Sequence, residues 1–183
     1  GKALGLPVWK LLGGGFHKQI RCYASTLFGP TPQATGEIAR RIRDRGFGAV
    51  KFGWAPMGQD ARTDVDLVRQ ARRGFGDDGQ LMIDAGLVWD ARTAIQRAHA
   101  FAEFDIAWLE EPLQPDDYIG YRKLTDASPV HIAAGESESN RQSFLDLMDQ
   151  GGIDIVHVDP TRCGGFTAAD KIASLAADRG LKV

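Results

Sequence analysis

The sequence predicts an α/β protein, a (β/α) barrel of the TIM type that is incomplete within these 183 residues. Three observations carry this. Short β-branched runs alternate six times with longer amphipathic stretches, the pattern of parallel strands joined by right-handed helical crossovers. No Gly-rich dinucleotide fingerprint follows the first strand, and no second domain completes a doubly wound sheet. A full eightfold barrel takes about 250 residues, and six units with the start of a seventh fit in the length present.

The first unit is RCYAS (21–25) followed by PQATGEIARRIRDRG, which predicts a helix over 33–45 ending at Gly46. AVKF (49–52) precedes DVDLVRQARRGFG, and LMID (81–84) precedes DARTAIQRAHAFAEF. IAWLE (106–110) leads into DDYIGYRKLTDA, and HIAAGE (131–136) into NRQSFLDLMDQGG. The sixth pair is IDIVHVD (153–159) with TAADKIASLAADRG, and LKV (181–183) opens a seventh strand. The chain therefore reads as a piece of a longer protein that lacks the last one or two units of its barrel.

With 43% apolar and 25% charged residues the composition is that of a globular core, which excludes a disordered tail or collagen. Lys and Arg (22) nearly balance Asp and Glu (24), and no long charged run invites nucleic acid or an anionic membrane. Cys22 and Cys163 are too few for a disulfide framework, so free thiols and a cytoplasmic location are expected. No apolar run approaches the roughly 20 residues of a membrane span, and the first residues lack the features of a signal peptide.

Acidic residues close three successive strand runs: Asp84 in LMID, Glu110 in IAWLE and Glu136 in HIAAGE, each 26 residues from the last. In a barrel such positions converge on the face where chemistry is done. Any one of them alone reads as a helix N-cap or a solvated loop residue. Three together repel unless a cation neutralises them, and an all-oxygen set with no Cys or His favours Mg²⁺ over Zn²⁺. Lys51, read as ending the second strand, either pairs with these acids or serves as a base, its pKa lowered by a nearby cation. Asp159 ends the sixth run at the same level.

The motifs LMIDAG (81–86), WLEEP (108–112), AAGES (133–137) and VDPTRCGG (158–165), preceded by VKFG (50–53), resemble the enolase superfamily. Within it the similarity is to the mandelate racemase and muconate lactonising enzyme branch. The resemblance covers essentially the whole chain. It implies that residues 1–14 are the linker out of a missing N-terminal capping domain and 15–183 a partial catalytic barrel. It further implies a Mg²⁺ ion on Asp84, Glu110 and Glu136, which stabilises the enediolate formed when a base removes the proton α to a substrate carboxylate. Lys51 would be that base, Asp159 the aspartate of a His-Asp dyad, and Glu111 a support behind the ligands.

Two departures from the family pattern stand out. Its Lys-x-Lys is reduced to Ala49-Val50-Lys51, read as retention of the second lysine, and Gly86 replaces a frequent Asn. None of the four histidines fits the dyad. His17 precedes the barrel, His99 is on a helix, His131 begins a strand, and His157 reads as a core or supporting residue one layer below Asp159. Trp54, Pro56 and Met57 line the substrate pocket or cap the barrel, and Arg162 reaches a substrate carboxylate or pairs with Asp159. Cys163 has no catalytic role.

The implied function is Mg²⁺-dependent proton abstraction leading to dehydration of a sugar acid. Its alternatives are racemisation, epimerisation or cycloisomerisation, or a catalytically silent metal-binding barrel. A small-molecule carboxylate is the expected partner, with no nucleic acid or membrane, in a homo-oligomer. The full-length protein is expected to continue with a seventh strand carrying a histidine within a few residues of Val183, and then an eighth unit. The 183-residue piece alone is expected to be inactive and aggregation-prone, its sheet edges open. A longer native sequence with no histidine there, or turnover by a protein ending at Val183, contradicts this.

Overall fold

A computed structural model describes residues 1–15 and 17–183. A 3₁₀ turn (Lys2–Leu4) and the short α1 (Val8–Leu11) precede the sheet. Six strand-helix units come next: β1 (Ala24–Leu27) and α2 (Pro32–Asp44), β2 (Ala49–Gly53) and α3 (Ala61–Phe75), β3 (Gln80–Asp84) and α4 (Ala91–Phe101). The remaining three are β4 (Ile106–Glu110) and α5 (Tyr118–Ala127), β5 (Ile132–Ala134) and α6 (Arg141–Asp146), β6 (Ile155–Val156) and α7 (Phe166–Asp178). The strands form one parallel sheet in chain order, as expected of a barrel wall. An isolated parallel bridge from Ile155 to Lys182 begins the predicted seventh strand. Among the described residues β1 and β6 do not pair, so the wall is open.

The sheet curls on itself. Tyr23, just before β1, meets Trp108 of β4 edge-on at 6.1 Å between ring centroids, and Lys51 of β2 reaches across to Glu110 of β4. One face carries Val50, Phe52, Leu81, Ile83, Leu109 and Ile132 into the apolar layer shared with the helices. Alternate residues, Lys51, Asp84 and Glu110 among them, point to the concave side.

Helix starts are set by their caps. Thr31, Asp60, Asp90, Asp117 and Asn140 each accept backbone N–H bonds at the first turns of α2, α3, α4, α5 and α6. Helices α2 and α3 cross where Gly36 and Gly74 meet, and a Cβ at Gly74 would stand 2.9 Å from the carbonyl carbon of Gly36. Buried Arg72 of α3 donates to the carbonyls of Gly76, Gly79, Phe104 and Asp105, tying the N-terminal ends of β3 and β4 together.

All strands but β4 differ from the sequence reading: β1 is shifted from 21–25 to Ala24–Leu27 and β3 starts one residue earlier, at Gln80. β2 runs on to Gly53, because glycine pairs in a ladder as readily as Phe52 does. β5 ends at Ala134, since Gly135 takes φ 127 and turns the chain away. β6 ends at Val156, three residues before Asp159, whose side chain folds back onto a turn.

Asp64 of α3 is buried and serves the β2–α3 loop. Its Oδ1 accepts the Gly58 N–H at 2.7 Å and its Oδ2 pairs with Arg97 Nε of α4 at 2.7 Å. Asp64→Ala leaves a mostly buried guanidinium without its partner, so it is expected to lower stability by about 3 kcal/mol. A loss of unfolding free energy from urea titration of less than about a third of that amount, at unchanged slope, contradicts the assignment.

Candidate active site

Strand register sets the site. Asp84 pairs with Glu110 and Gly53 with Asp84, so β3 and β4 end side by side in two carboxylates, at the level expected from LMID and IAWLE. Lys51 pairs with Met82, two residues short of Asp84. The reading of Lys51 as the end of its strand is therefore corrected. It lies one layer below the carboxylates, and Gly53 occupies the rim. From there its Nζ donates to Glu110 Oε1 and stands 4.0 Å from Asp84 Oδ2.

Glu110 is fully buried, and three groups meet it. Lys51 binds Oε1, His157 Nδ1 stands 3.3 Å from the same oxygen, and Trp108 Nε1 donates to Oε2 at 3.0 Å. Burial is the largest single influence and pushes Glu110 up, but His157 and Lys51 together outweigh it and hold the carboxyl at about 2. Asp84 has weaker support. Burial and then the Glu110 charge push it up to about 6, against the pull of Lys51 and of the Gly86 N–H. Burial also acts to lower Lys51, yet Glu110, Tyr23 and Asp84 reverse this and the ammonium is raised. The sequence reading expected a neighbouring cation to lower it; the surrounding carboxylates act in the opposite sense.

Glu136 lies two residues beyond β5, after the Gly135 turn, rather than at a strand end. It and Lys51 line two adjoining cavities. One, of about 350 Å³, is completed by Ser25, Thr26, Leu27, Gly53, Trp54 and Asp84; the other, of about 410 Å³, includes Tyr23, Glu110, His157 and Asp159. Glu111 is buried behind them. Its backbone is left-handed at φ 38, and its carboxylate accepts the Ser137 N–H at 3.2 Å and Oγ–H at 3.1 Å. Glu111 thus anchors the turn that carries Glu136.

Asp159 stands apart from this group. Its Oδ1 accepts both the N–H and the hydroxyl of Thr161 at 2.7 Å, and Arg162 Nε lies 3.9 Å from Oδ2. The Thr161 hydroxyl, then its N–H, lower the Asp159 carboxyl. The structure brings it to the wall of the second cavity, without a hydrogen bond to Lys51, Asp84, Glu110 or Glu136 among the described residues. His157, read as a core or supporting residue, reaches Glu110 and packs edge-on against Trp108 at 5.7 Å. Alternation was the available signal, since Trp108 shares a strand face with Glu110 two residues on.

Among the described residues no three His, Cys, Asp or Glu side chains stand in ion-holding geometry. The donor chemistry nonetheless fits a hard divalent cation. Two buried carboxylates share one lysine ammonium, Glu136 lines the same cavities, and Asp84 is short of counter-charge, pushed up chiefly by burial and by Glu110.

A family model described as Enolase C-terminal domain-like matches residues 34–183. A predicted mandelate racemase from Rhodobacter sphaeroides is 39% identical, at a TM-score of 0.89 over 98% of this chain and 47% of that one. The 3,6-anhydro-D-galactonate cycloisomerase from Zobellia galactanivorans is 34% identical, at 0.90 over 99% and 50%. A racemase from Streptomyces coelicolor A3(2), with bound magnesium, is 34% identical, at 0.87 over 96% and 48%. The chain spans about half the length of these proteins.

Trp108→Phe keeps the ring between Tyr23 and His157 but leaves Glu110 Oε2 without its donor. It is expected to lower stability by about 1–3 kcal/mol, read from urea unfolding followed by circular dichroism. An unchanged midpoint contradicts the hydrogen bond's role.

Proposed function

The chain belongs to the enolase C-terminal domain-like family, and from that premise we propose that its protein removes the proton α to a substrate carboxylate with the help of Mg²⁺, in the dehydration of a sugar acid. The observation that carries this reading is a lysine amine set among strand-end carboxylates where two cavities adjoin. Asp84, Glu110 and Glu136 would hold the ion. When bound, it supplies Lewis-acid neutralisation of the negative charge that gathers on the substrate carboxylate as the proton leaves.

The chain's own groups divide the remaining work. Lys51 would take the proton, because its side chain lines both cavities and its amine, held protonated by Glu110, loses that partner once Glu110 serves as a cation ligand. Trp108 and His157 hold Glu110, and Glu111 with Ser137 holds the turn of Glu136. Asp159, which lines the second cavity, would be the aspartate of a His-Asp dyad. A sugar-acid substrate is supported by the name of the Zobellia relative, which states an anhydrosugar acid.

The same relative's name, and that of the Streptomyces racemase, favour a second reading, cycloisomerisation or racemisation. Proton removal is common to both readings, and they differ only in the step after it.

The test is a panel of sugar acids incubated with the full-length protein and Mg²⁺ in deuterated water. A 2-keto product that has lost one water and carries solvent deuterium at C3, its formation abolished by chelation, is expected; stereoinversion with deuterium at the α-carbon, or a ring-opened product that has lost no water, selects the second reading. Lys51→Met should lower turnover by about 10²–10⁴-fold, the usual worth of a positioned acid or base, while Mg²⁺ still binds. Exchange that survives both the chelator and Lys51→Met contradicts the proposal.

A further inference from the structure

Trp54 is the first residue after β2, and two features of its placement are unusual for a tryptophan. Its backbone is left-handed at φ 69, a conformation a bulky L-residue adopts only at a cost in strain, and its side chain is 57% exposed. Strain of this kind persists where the surroundings over-determine it. Here the Trp54 N–H donates to the Asp84 carbonyl at 3.1 Å, and the indole Nε1–H donates to Asp84 Oδ2 at 3.1 Å. One residue therefore grips both the main chain and the carboxylate of Asp84.

The neighbouring glycines make room for this arrangement. A Cβ on Gly86, which itself sits at φ 71, would stand 3.1 Å from Cδ1 of the indole, the atom bonded to Nε1. A Cβ on Gly53 would stand 2.9 Å from the Asp84 Cβ. The Asp84 carboxylate is thereby fixed from two sides, with Oδ1 on the Gly86 N–H at 2.9 Å and Oδ2 on the Trp54 indole. Among the described residues Trp54 is the one side chain that hydrogen-bonds Asp84; Lys51 lies farther off at 4.0 Å. Each carboxylate oxygen accepts two bonds, so one indole donor sets the aim of Oδ2 and leaves a lone pair for a cation.

We propose that Trp54 is a positioning residue for the divalent cation, its indole N–H holding Asp84 in the orientation that binds the ion while its ring walls the adjoining 350 Å³ cavity. This rests on the reading of Asp84 as a cation ligand. Groups that hydrogen-bond a ligating carboxylate fix its orientation, and losing one typically costs 10–100-fold in metal affinity. The signal in the sequence was the Gly53-Trp54 pair directly after the AVKF run, with Gly86 two residues beyond the acid.

Calorimetric titration of the full-length protein with Mg²⁺ alone tests this. Trp54→Phe keeps the ring and removes the donor, and it is expected to weaken Mg²⁺ by about tenfold or more with the circular dichroism spectrum unchanged. Trp54→His keeps a ring N–H and is expected to recover part of that loss. Equal Mg²⁺ affinity in the unmodified protein and Trp54→Phe overturns the inference while leaving Asp84 a ligand. Absence of Mg²⁺ binding in the unmodified protein overturns the ligand reading, and the inference falls with it. Should Trp54→Phe fail to fold, Gly86→Ala, whose added methyl would press on the Trp54 indole, decides by the same titration: unchanged Mg²⁺ affinity overturns the inference.

Discussion

Burying a carboxylate costs several kcal/mol unless donors and counter-charge replace the lost water, and the candidate site is organised around meeting that cost for Glu110. The side chain has no exposure and no room to turn outward, so its neighbours supply what water would. Lys51 must come from a layer below to reach it, and Trp108 turns its indole N–H inward from the same strand. His157 closes the third side. Asp84 is aligned beside Glu110 by the ladder but lacks a histidine and shares the ammonium less closely, which is why the two acids diverge so widely, to about 2 and about 6.

This constraint produces a division between wall and loops. The parallel register fixes the levels of Gly53, Asp84 and Glu110 without reference to any side chain. Loops then adjust the aim. Trp54 holds Asp84, Ser137 holds Glu111, and Asp64 holds the loop at Gly58. The Trp54 and Ser137 bonds each join two successive strand-helix units, whereas the Asp64 bond to Gly58 lies within one. Two of its residues, Trp54 and Glu111, carry left-handed backbones, as strained positions tend to cluster where chemistry is done.

Much of this was legible in the sequence, for identifiable reasons. LMID and IAWLE are apolar runs broken by an acid, and their helices carry polar caps, so the levels of Asp84 and Glu110 could be read directly. The level of Lys51 could not, because Gly53 looks like a strand breaker and in fact extends the ladder by one residue, moving the lysine inward. Asp159 and Glu136 were placed at strand ends because their runs are β-branched and apolar, yet backbone turns at Gly135 and around Thr161 end those strands early. The contact of His157 with Glu110 depends on how tightly the sheet curls, a property no local pattern encodes.

Whether the carboxylates form a cation site is settled most directly by crystals of the full-length protein soaked in Mn²⁺, a hard ion suited to the same oxygen donors as Mg²⁺ and visible by anomalous scattering. An anomalous peak bounded by Asp84, Glu110 and Glu136, with the Lys51 amine drawn back from Glu110, is the expected result. A map at saturating Mn²⁺ with no peak among these residues, and Lys51 still bonded to Glu110, would contradict the reading of the cluster as a metal centre.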